Sequence, residues 1–172
     1  MDKNFKSFYE WCRTKNIPVI VLSSGMEPLI RALLKKALGD QEANDMQVIC
    51  NQVKVEDNGE WHIVFHDDSH FGHDKSIAIK PYASLPKENR PKLFYCGDGV
   101  SDLSAAKETD LLFAKEGCDL VAYSLRENVD FTPFKDFSEI HRKIEAIVEG
   151  SLSLEQAVAE GRQHAQMLLN KK

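Results

Sequence analysis

Apolar positions along this chain recur with two different spacings, and each spacing predicts one type of secondary structure. Phe5, Phe8, Tyr9 and Cys12 lie at helical spacing, which predicts an amphipathic helix over residues 4–15. Similar apolar patterns, together with start and stop signals such as Pro, Ser and Gly, predict the remaining helices. These helices cover residues 27–38, 75–84, 101–107, 118–128, 138–150 and 153–169.

Short apolar runs between these helices, several of them rich in β-branched or aromatic residues, predict strands. The strands cover residues 17–22, 48–55, 61–65, 93–96 and 111–114. Asp57-Asn58-Gly59 lies between the second and third strands and is a strong hairpin signal, so we expect an inserted hairpin at residues 46–66. The alternation of strands with helices predicts an α/β fold with a mainly parallel sheet.

The chain has 172 residues, and we expect residues 1–172 to form a single core domain that ends in a C-terminal helix at 151–172. Its net charge of −5 argues against a nucleic-acid partner, which needs a dense field of Lys and Arg. Its apolar runs are too short to span a bilayer, so no membrane partner is expected. The four cysteines include no CxxC pair, which favours reduced thiols and a cytoplasmic location.

The first polar signal at a strand end is Ser23-Ser24-Gly25, which follows the strand at 17–22 and precedes a helix. In open α/β sheets, ligands bind at the carboxyl ends of the strands. A hydroxyl group, backbone N–H groups and a helix N-terminus meet here, and this combination suits the oxygen atoms of a phosphate. The plain alternative is that these residues only form a turn or a helix cap.

The second signal is Lys75, which lies at the predicted start of a helix. A lysine in this position opposes the helix macrodipole, so it is a candidate for another purpose, such as neutralising a phosphoryl group. Lys80, which precedes Pro81, competes for the same role. The alternative for either residue is an ordinary solvated lysine on the surface.

The third signal is the stretch YCGDGVSD at residues 95–102, in which Asp98 and Asp102 follow a buried strand. Carboxylate oxygens are hard ligands and suit Mg²⁺, which takes one or two protein carboxylates and keeps several waters. The alternative is an Asp-Gly turn followed by an aspartate in the first turn of a helix.

Histidine and aspartate residues are concentrated between residues 62 and 74, and a transition-metal site is one hypothesis for this segment. The plainer interpretation, which we prefer, is an exposed polar face. The residues concerned are His62, His66, His70 and His73, with Asp67, Asp68 and Asp74.

The sequence resembles the haloacid-dehalogenase-like phosphatase superfamily in the order of three features. A strand that ends in serine is followed by a lysine and then by a strand that ends in GDGxxD. The similarity is to its phosphoserine phosphatase-like and methylthiopentenyl-phosphate phosphatase-like branch. It runs from about residue 5 to 149 and includes VLSSGMEPLI, VICNQVKVEDNGEW, FYCGDGVSDLSAAKETDLLFAK and PFKDFSEIHRKIE. The resemblance implies a Rossmann-like three-layer sandwich, in which residues 1–16 are the remnant of a helical cap segment.

By this resemblance, Ser23, Ser24 and Gly25 bind the phosphoryl group of the substrate. Lys75, with Lys80 as the alternative, offsets negative charge on the phosphoryl oxygens and on the nucleophile. The implied activity is hydrolysis of a small phosphorylated metabolite through an aspartyl-phosphate.

The resemblance also implies Mg²⁺ as the cofactor. Asp98 would ligate the ion directly, and Asp102 would act from its first or second coordination sphere. In this reaction class, catalysis comes mainly from electrostatic stabilisation of an in-line transfer.

The sequence contains no DxDx[TV] motif, from which the superfamily takes its attacking aspartate and its acid–base aspartate. In the family's order this motif, its strand and most of the cap would precede residue 1, so we expect a truncated chain with lost or very slow turnover. The alternative function is a non-catalytic phosphate-binding or strand-accepting module. Such a module would associate with itself or with a complementing N-terminal segment.

The strand that carries this motif is central in such sheets and would lie between the strands at 17–22 and 93–96. Its absence leaves two possibilities, because these strands either pair directly or leave an apolar slot open. Several unpaired buried backbone groups, at about 1–3 kcal/mol each, would consume much of a typical stability margin.

Overall fold

The computed structural model describes residues 2–69 and 73–169, and the chain divides into two compact units, Met1–Ala78 and Ile79–Lys172. Each unit contains one three-stranded sheet with helices packed against it. Helices combined with mostly parallel sheets confirm the predicted Rossmann-like α/β class. Within the two described ranges, no helix is long and apolar enough to cross a membrane.

The first unit has a sheet of strand order β1-β2-β3, in which β1 and β2 are parallel and β2 and β3 are antiparallel. A further helix, α4 (Lys75–Ala83), begins in this unit and continues into the second one. The other elements of the first unit are α1 (Phe5–Thr14), β1 (Ile20–Met26), α2 (Glu27–Leu38), α3 (Asp40–Asp45), β2 (Gln47–Val55) and β3 (Trp61–Val64).

Helix α1 confirms the first predicted helix, and the four apolar residues that predicted it are all buried. Helix α2 has a proline in its first turn and ends before Gly39, as its start and stop signals indicated. Helix α3 was not predicted, because its six residues are mostly polar and only Ala43 is buried. Such a short polar helix carries no apolar periodicity to detect.

The hairpin of β2 and β3 is confirmed, with the predicted turn between the strands. The Glu56 N–H donates to the Glu60 carbonyl at 2.8 Å and closes the turn. Apolar and polar residues alternate along β3, but the apolar ones do not form a buried face, because all four residues of this strand are exposed.

Strand β1 continues further than predicted, through Ser23 and Gly25 to Met26. The sequence prediction ended this strand at residue 22, which is wrong. Ser23 pairs with Cys50 and Met26 pairs with Asn51, so β1 advances by three residues while β2 advances by one. The end of β1 is therefore irregular, with a bulge of unpaired residues between Ser23 and Met26.

The second unit has a parallel sheet of strand order β4-β5-β6, in which residues 111–114 of the central strand are buried. A short 3₁₀ turn, Val100–Asp102, follows the first of these strands. The remaining elements are β4 (Phe94–Gly97), α5 (Leu103–Ala106), β5 (Leu111–Lys115), α6 (Asp119–Arg126), β6 (Thr132–Phe134), α7 (Phe137–Val148) and α8 (Leu154–Leu169).

Strand β6 was not predicted from the sequence, because it has three residues and Pro133 lies at its centre. Proline cannot donate a ladder hydrogen bond and is tolerated mainly in edge strands. β6 is an edge strand of its sheet, which agrees with this rule.

β1 and β4 are each an outer strand of their own sheet.

Candidate functional site

The predicted phosphate-binding and metal-binding residues are divided between the two units, with Ser23, Ser24, Gly25 and Lys75 in the first and Lys80, Asp98 and Asp102 in the second, and each unit is described separately. We call residues 23–25 the serine loop, and it belongs to the first unit together with Lys75. We call residues 97–102 the acidic loop, and it belongs to the second unit.

The serine loop is closed by a hydrogen bond within itself. The Gly25 N–H donates to Ser23 Oγ at 3.1 Å. Since a hydroxyl group can accept and donate at the same time, the hydroxyl hydrogen of Ser23 is left for another acceptor. The hydroxyl oxygen of Ser24 is buried and has no hydrogen-bond partner among the described residues. A buried polar atom without a partner is costly and is typical of a site that binds something.

The two carbonyl groups of the serine loop are held by side chains from distant parts of the chain. Asn51, on β2, is 2 % exposed, and its Nδ2 donates to the Ser24 carbonyl at 2.8 Å. Its Oδ1 accepts the His66 N–H at 2.9 Å. His73 Nδ1 lies 2.9 Å from the Ser23 carbonyl oxygen and donates to it. The backbone of the loop is therefore fixed from outside.

His73 differs from the other described histidines of its segment because it is 1 % exposed, whereas His62 and His66 are exposed. The expectation of an exposed polar face is therefore wrong for His73. Its ring lies 4.6 Å from the His66 ring, between centroids. Burial lowers the pKa of His73, and the positive charge of Lys75 lowers it further, against a hydrogen bond from the ring to the Ser23 carbonyl that raises it.

A carboxylate closes the segment that leads into α4. Asp67 Oδ1 accepts the Ser69 N–H at 2.9 Å, and Asp67 Oδ2 accepts the Asp74 N–H at 2.7 Å. Hydrogen bonds from Ser69 and Asp74 lower the pKa of Asp67, so the clamp is ionised at neutral pH. We call this arrangement the Asp67 clamp.

Lys75 is the first residue of α4 and is 6 % exposed, so it is not the solvated surface lysine of the alternative interpretation. Lys80 is exposed. Five residues correspond to about 140° of rotation around a helix, so the two lysines leave α4 on different sides. A buried ammonium group is stable only beside polar or anionic groups. Lys75 is therefore a better candidate than the exposed Lys80 for binding an anion.

The acidic loop is organised by Asp102, which is 3 % exposed. Its Oδ2 accepts the N–H groups of Asp98 and Gly99, both at 2.9 Å. Its Oδ1 accepts the hydroxyl of Tyr95, on β4, at 2.6 Å. Burial and the neighbouring charge of Asp102 raise the pKa of Tyr95, so the phenol stays protonated and remains a donor.

Asp98 is exposed, in contrast to Asp102, and its backbone carbonyl accepts the Leu120 N–H at 3.0 Å. Asp102 is buried and its two oxygens hold the Tyr95 hydroxyl and the loop backbone, whereas the exposed Asp98 is the more accessible of the two carboxylates for a cation. One available carboxylate fits Mg²⁺, which needs only one or two and fills its other positions with water and substrate oxygens.

The described residues contain no group of three or more His, Cys, Asp or Glu side chains that could hold a metal ion. The transition-metal hypothesis therefore finds no support in His62, His66 and His73 within those residues. His70 belonged to the same hypothesis and lies outside the described residues.

Sequence reasoning missed the residues that support the two loops, namely Asn51, Tyr95 and the supporting role of His73. Asn51 gave a usable signal, because its amide side chain directly follows the apolar run Val48-Ile49-Cys50 in the middle of the predicted strand. A buried amide needs hydrogen-bond partners, so its position indicated a contact that the sequence alone does not identify.

Comparison with known proteins shows which family these features belong to. The family model described as haloacid dehalogenase-like hydrolase matches residues 1–107. The chain belongs to this family, and its resemblance to haloacid-dehalogenase-like phosphatases is confirmed.

Three relatives illustrate the similarity. Pdp3-interacting factor 1 of Schizosaccharomyces pombe is 55 % identical over 147 residues, which is 86 % of this chain and 64 % of the relative. Polyol phosphate phosphatase PYP1 of Saccharomyces cerevisiae is 45 % identical over 166 residues, covering 93 % and 67 % of the two chains. A 2-hydroxy-3-keto-5-methylthiopentenyl-1-phosphate phosphatase of Bacillus cereus is 27 % identical over 158 residues, covering 86 % and 65 %. The chain thus spans about two thirds of the length of these relatives.

Proposed function

We propose that this chain provides the phosphate-binding and metal-binding residues of a phosphatase for small phosphorylated metabolites, with polyol phosphates as the substrate class. The observation that carries this proposal is the buried ammonium of Lys75 in the same unit as a serine loop whose Ser23 hydroxyl donates to no acceptor among the described residues. The substrate class is supported by the 45 % identity to a protein named polyol phosphate phosphatase.

In this proposal Ser23 and the N–H of Ser24 donate hydrogen bonds to phosphoryl oxygens. Lys75 offsets the negative charge that those oxygens carry, and Lys80, being exposed, stays in solvent. The reaction breaks the bond between phosphorus and the oxygen of the substrate's alcohol, which leaves with a proton. Water finally supplies the oxygen that phosphorus gains.

Asp98 is the residue that would hold Mg²⁺, and the ion would supply positive charge at the acidic loop when it is bound. Asp102 acts on Asp98 indirectly, because it holds the Asp98 N–H and so fixes the backbone from which that carboxylate extends. With both of its oxygens accepting hydrogen bonds, Asp102 is assigned a positioning role rather than direct ligation.

The sequence has no DxDx[TV] motif to attack phosphorus. We therefore propose that this chain by itself binds phosphate and hydrolyses phosphate esters slowly or not at all. A strand-accepting interaction module, the alternative function, is less well supported, because the relatives whose names state an activity are phosphatases.

Calorimetry with inorganic phosphate tests the phosphate-binding residues. We expect the parent chain to bind phosphate, and Lys75→Met to weaken binding by about tenfold or more, because a charge-assisted hydrogen bond is lost. Lys80→Met is the matched control on the same helix and should change the dissociation constant by less than about threefold. Failure of the parent chain to bind phosphate, or a larger effect of Lys80→Met, would overturn the proposal.

Titration with Mg²⁺ alone tests the acidic loop. Asp98→Asn should weaken Mg²⁺ binding by about tenfold or more, because the amide removes the charge of the ligand without changing its size. Asp119→Asn, in the first turn of α6, is the control and should leave Mg²⁺ binding unchanged. Equal Mg²⁺ affinity in all three proteins would exclude Asp98 as the ligand.

A further inference from the structure

We propose that His73 is a positioning residue for the serine loop, because its Nδ1–H holds the carbonyl of the peptide group whose N–H we assign to the phosphoryl oxygens. The inference rests on the proposed function for the identity of the anion. The geometry on which it depends lies entirely within the first unit.

The hydrogen bond identifies the tautomer of His73. A carbonyl oxygen only accepts hydrogen bonds, so the 2.9 Å contact with Ser23 requires a proton on Nδ1. His73 Nε2 is buried and has no hydrogen-bond partner among the described residues. A ring with a proton on Nδ1 alone leaves a lone pair on Nε2, which costs less to bury without a partner than a charged N–H.

The charges around His73 also favour the neutral ring. The Lys75 ammonium and the His66 ring lower its proton affinity, and Asp67 raises it. Burial acts in the same direction as Lys75 and is the largest influence. Since Asp67 is already held by hydrogen bonds from Ser69 and Asp74, it compensates only partly. His73 can therefore sit beside a buried ammonium without repelling it.

The effect on the serine loop follows from the planarity of the peptide bond. The Ser23 carbonyl and the Ser24 N–H belong to one trans peptide group, in which they point in opposite directions. A side chain that holds the carbonyl therefore fixes the direction of the N–H. If the peptide rotated, the Ser23 carbonyl oxygen would take the place of the Ser24 N–H and would repel an anion.

The next peptide group is fixed in a comparable way by a different residue. Asn51 holds the Ser24 carbonyl at 2.8 Å, and the Gly25 N–H of the same peptide donates to Ser23 Oγ at 3.1 Å. That peptide therefore has partners at both ends within the protein. The peptide between Ser23 and Ser24 follows the position at which Ser23 pairs with Cys50 in the β1–β2 ladder, and His73 holds its carbonyl from outside that ladder. We assign its N–H to the ligand.

Nitrogen NMR of the histidine-labelled chain tests the tautomer directly, without requiring any activity. The His73 signals are assigned by their loss in His73→Asn. We expect a protonated Nδ1 and an unprotonated Nε2 at pH 7. A proton on Nε2 alone, or a doubly protonated ring, would overturn the inference.

A pair of variants of nearly equal size tests the positioning role. His73→Asn keeps an N–H donor at the δ position, whereas His73→Leu removes it. With inorganic phosphate as the probe, we expect His73→Asn to bind within about threefold of the parent and His73→Leu to bind about tenfold more weakly. Addition of phosphate should shift the Ser24 amide resonance in the parent and in His73→Asn. A parent-like affinity for His73→Leu, or a loss as large for His73→Asn, would contradict the positioning role.

Failure of this inference is distinguishable from failure of the proposed function. If the parent chain binds no phosphate, the proposed function fails, and the tautomer of His73 still decides whether the Ser23 peptide is held. If phosphate binds with the expected dependence on Lys75 but the Ser24 resonance does not respond, phosphate binding by this chain stands, whereas the assignment of the Ser24 N–H to the phosphoryl oxygens and the role of His73 are both wrong. If His73→Leu does not fold, parent-like binding by His73→Asn, together with the nitrogen spectrum, supports the inference, and weakened binding by His73→Asn overturns it.

Discussion

The serine loop and the acidic loop are both held in place by hydrogen bonds, but the partners come from different distances along the chain. The acidic loop is held by Asp102 and Tyr95, which lie within or next to it in sequence. The serine loop is held by Asn51 and His73, which lie 27 and 50 residues away from their partners. One loop carries its own support, and the other depends on the folded unit around it.

This difference determines how each loop responds to change. The acidic loop should lose its geometry when one of its own residues is altered, because the Asp102 carboxylate that holds it is part of the loop. A loop with distant support can keep its sequence and still lose its geometry when β2 or the segment before α4 changes. The serine loop is therefore the more sensitive of the two to mutations remote from it in sequence.

Gly97→Ala is expected to have the largest effect on stability, because it adds a Cβ where the acidic loop is most closely packed. A Cβ at Gly97 would lie 2.5 Å from Asp102 Oδ2 and 2.6 Å from Asp102 Cγ. Asp102 would have to move and release the Asp98 and Gly99 N–H groups. We expect a loss of about 2–3 kcal/mol in the free energy of unfolding, measured by urea denaturation.

Gly99→Ala is the matched control within the same loop. A Cβ at Gly99 would lie 3.9 Å from its nearest neighbour, Asp102 Oδ2, and the backbone φ of −113° is open to any residue. It should cost less than about 1 kcal/mol. Similar denaturation midpoints for the two variants would show that Asp102 does not hold the loop as described.

Tyr95→Phe is expected to have an intermediate effect, because it removes the hydroxyl donor to Asp102 without changing the packing. Asp102 Oδ1 would remain buried without its partner, at a cost of about 1–2 kcal/mol. Tyr9→Phe is the control, since Tyr9 is also buried and its hydroxyl makes no hydrogen bond within the described residues. Equal stability of the two variants in urea would count against the proposed support of the acidic loop.

The pH dependence of stability is expected to show the smallest effect, and it reports on the serine loop. The pKa of His73 is lower in the folded chain than its unfolded value near 6.5, so the unfolded chain binds the proton more readily. The contribution is complete above pH 6.5 and is lost as the pH falls below it. Between pH 7 and pH 5, the parent should lose more stability than His73→Asn, by on the order of 1 kcal/mol. Parallel pH profiles would mean that His73 is protonated equally well in both states.

Much of the fold could be predicted because it depends on local patterns. The period of apolar residues located α1, α2 and the strands β2, β4 and β5 within a few residues. The partition of six strands into two separate sheets could not be predicted, because strand pairing is a contact between distant residues. Strand β6 was missed for a local reason, since a central proline argues against a strand.

The same division applies to the candidate site. Asp98 and Asp102 were identified together because both are part of one short motif that ends a strand. The difference between them was not predictable, since it depends on the Tyr95 hydroxyl and on burial. His73 was grouped with neighbouring histidines as an exposed residue, and only the folded unit shows that it is buried against Ser23.

The Asp67 clamp has a consequence for natural variation in this family. Because one carboxylate binds the backbone at Ser69 and at Asp74, it fixes where the chain leaves the hairpin and where it enters the helix with Lys75. A single carboxylate thereby sets the start of the helix that carries the lysine. Homologous proteins that keep this aspartate should keep the helix start in the same place, even where the sequence of the hairpin differs.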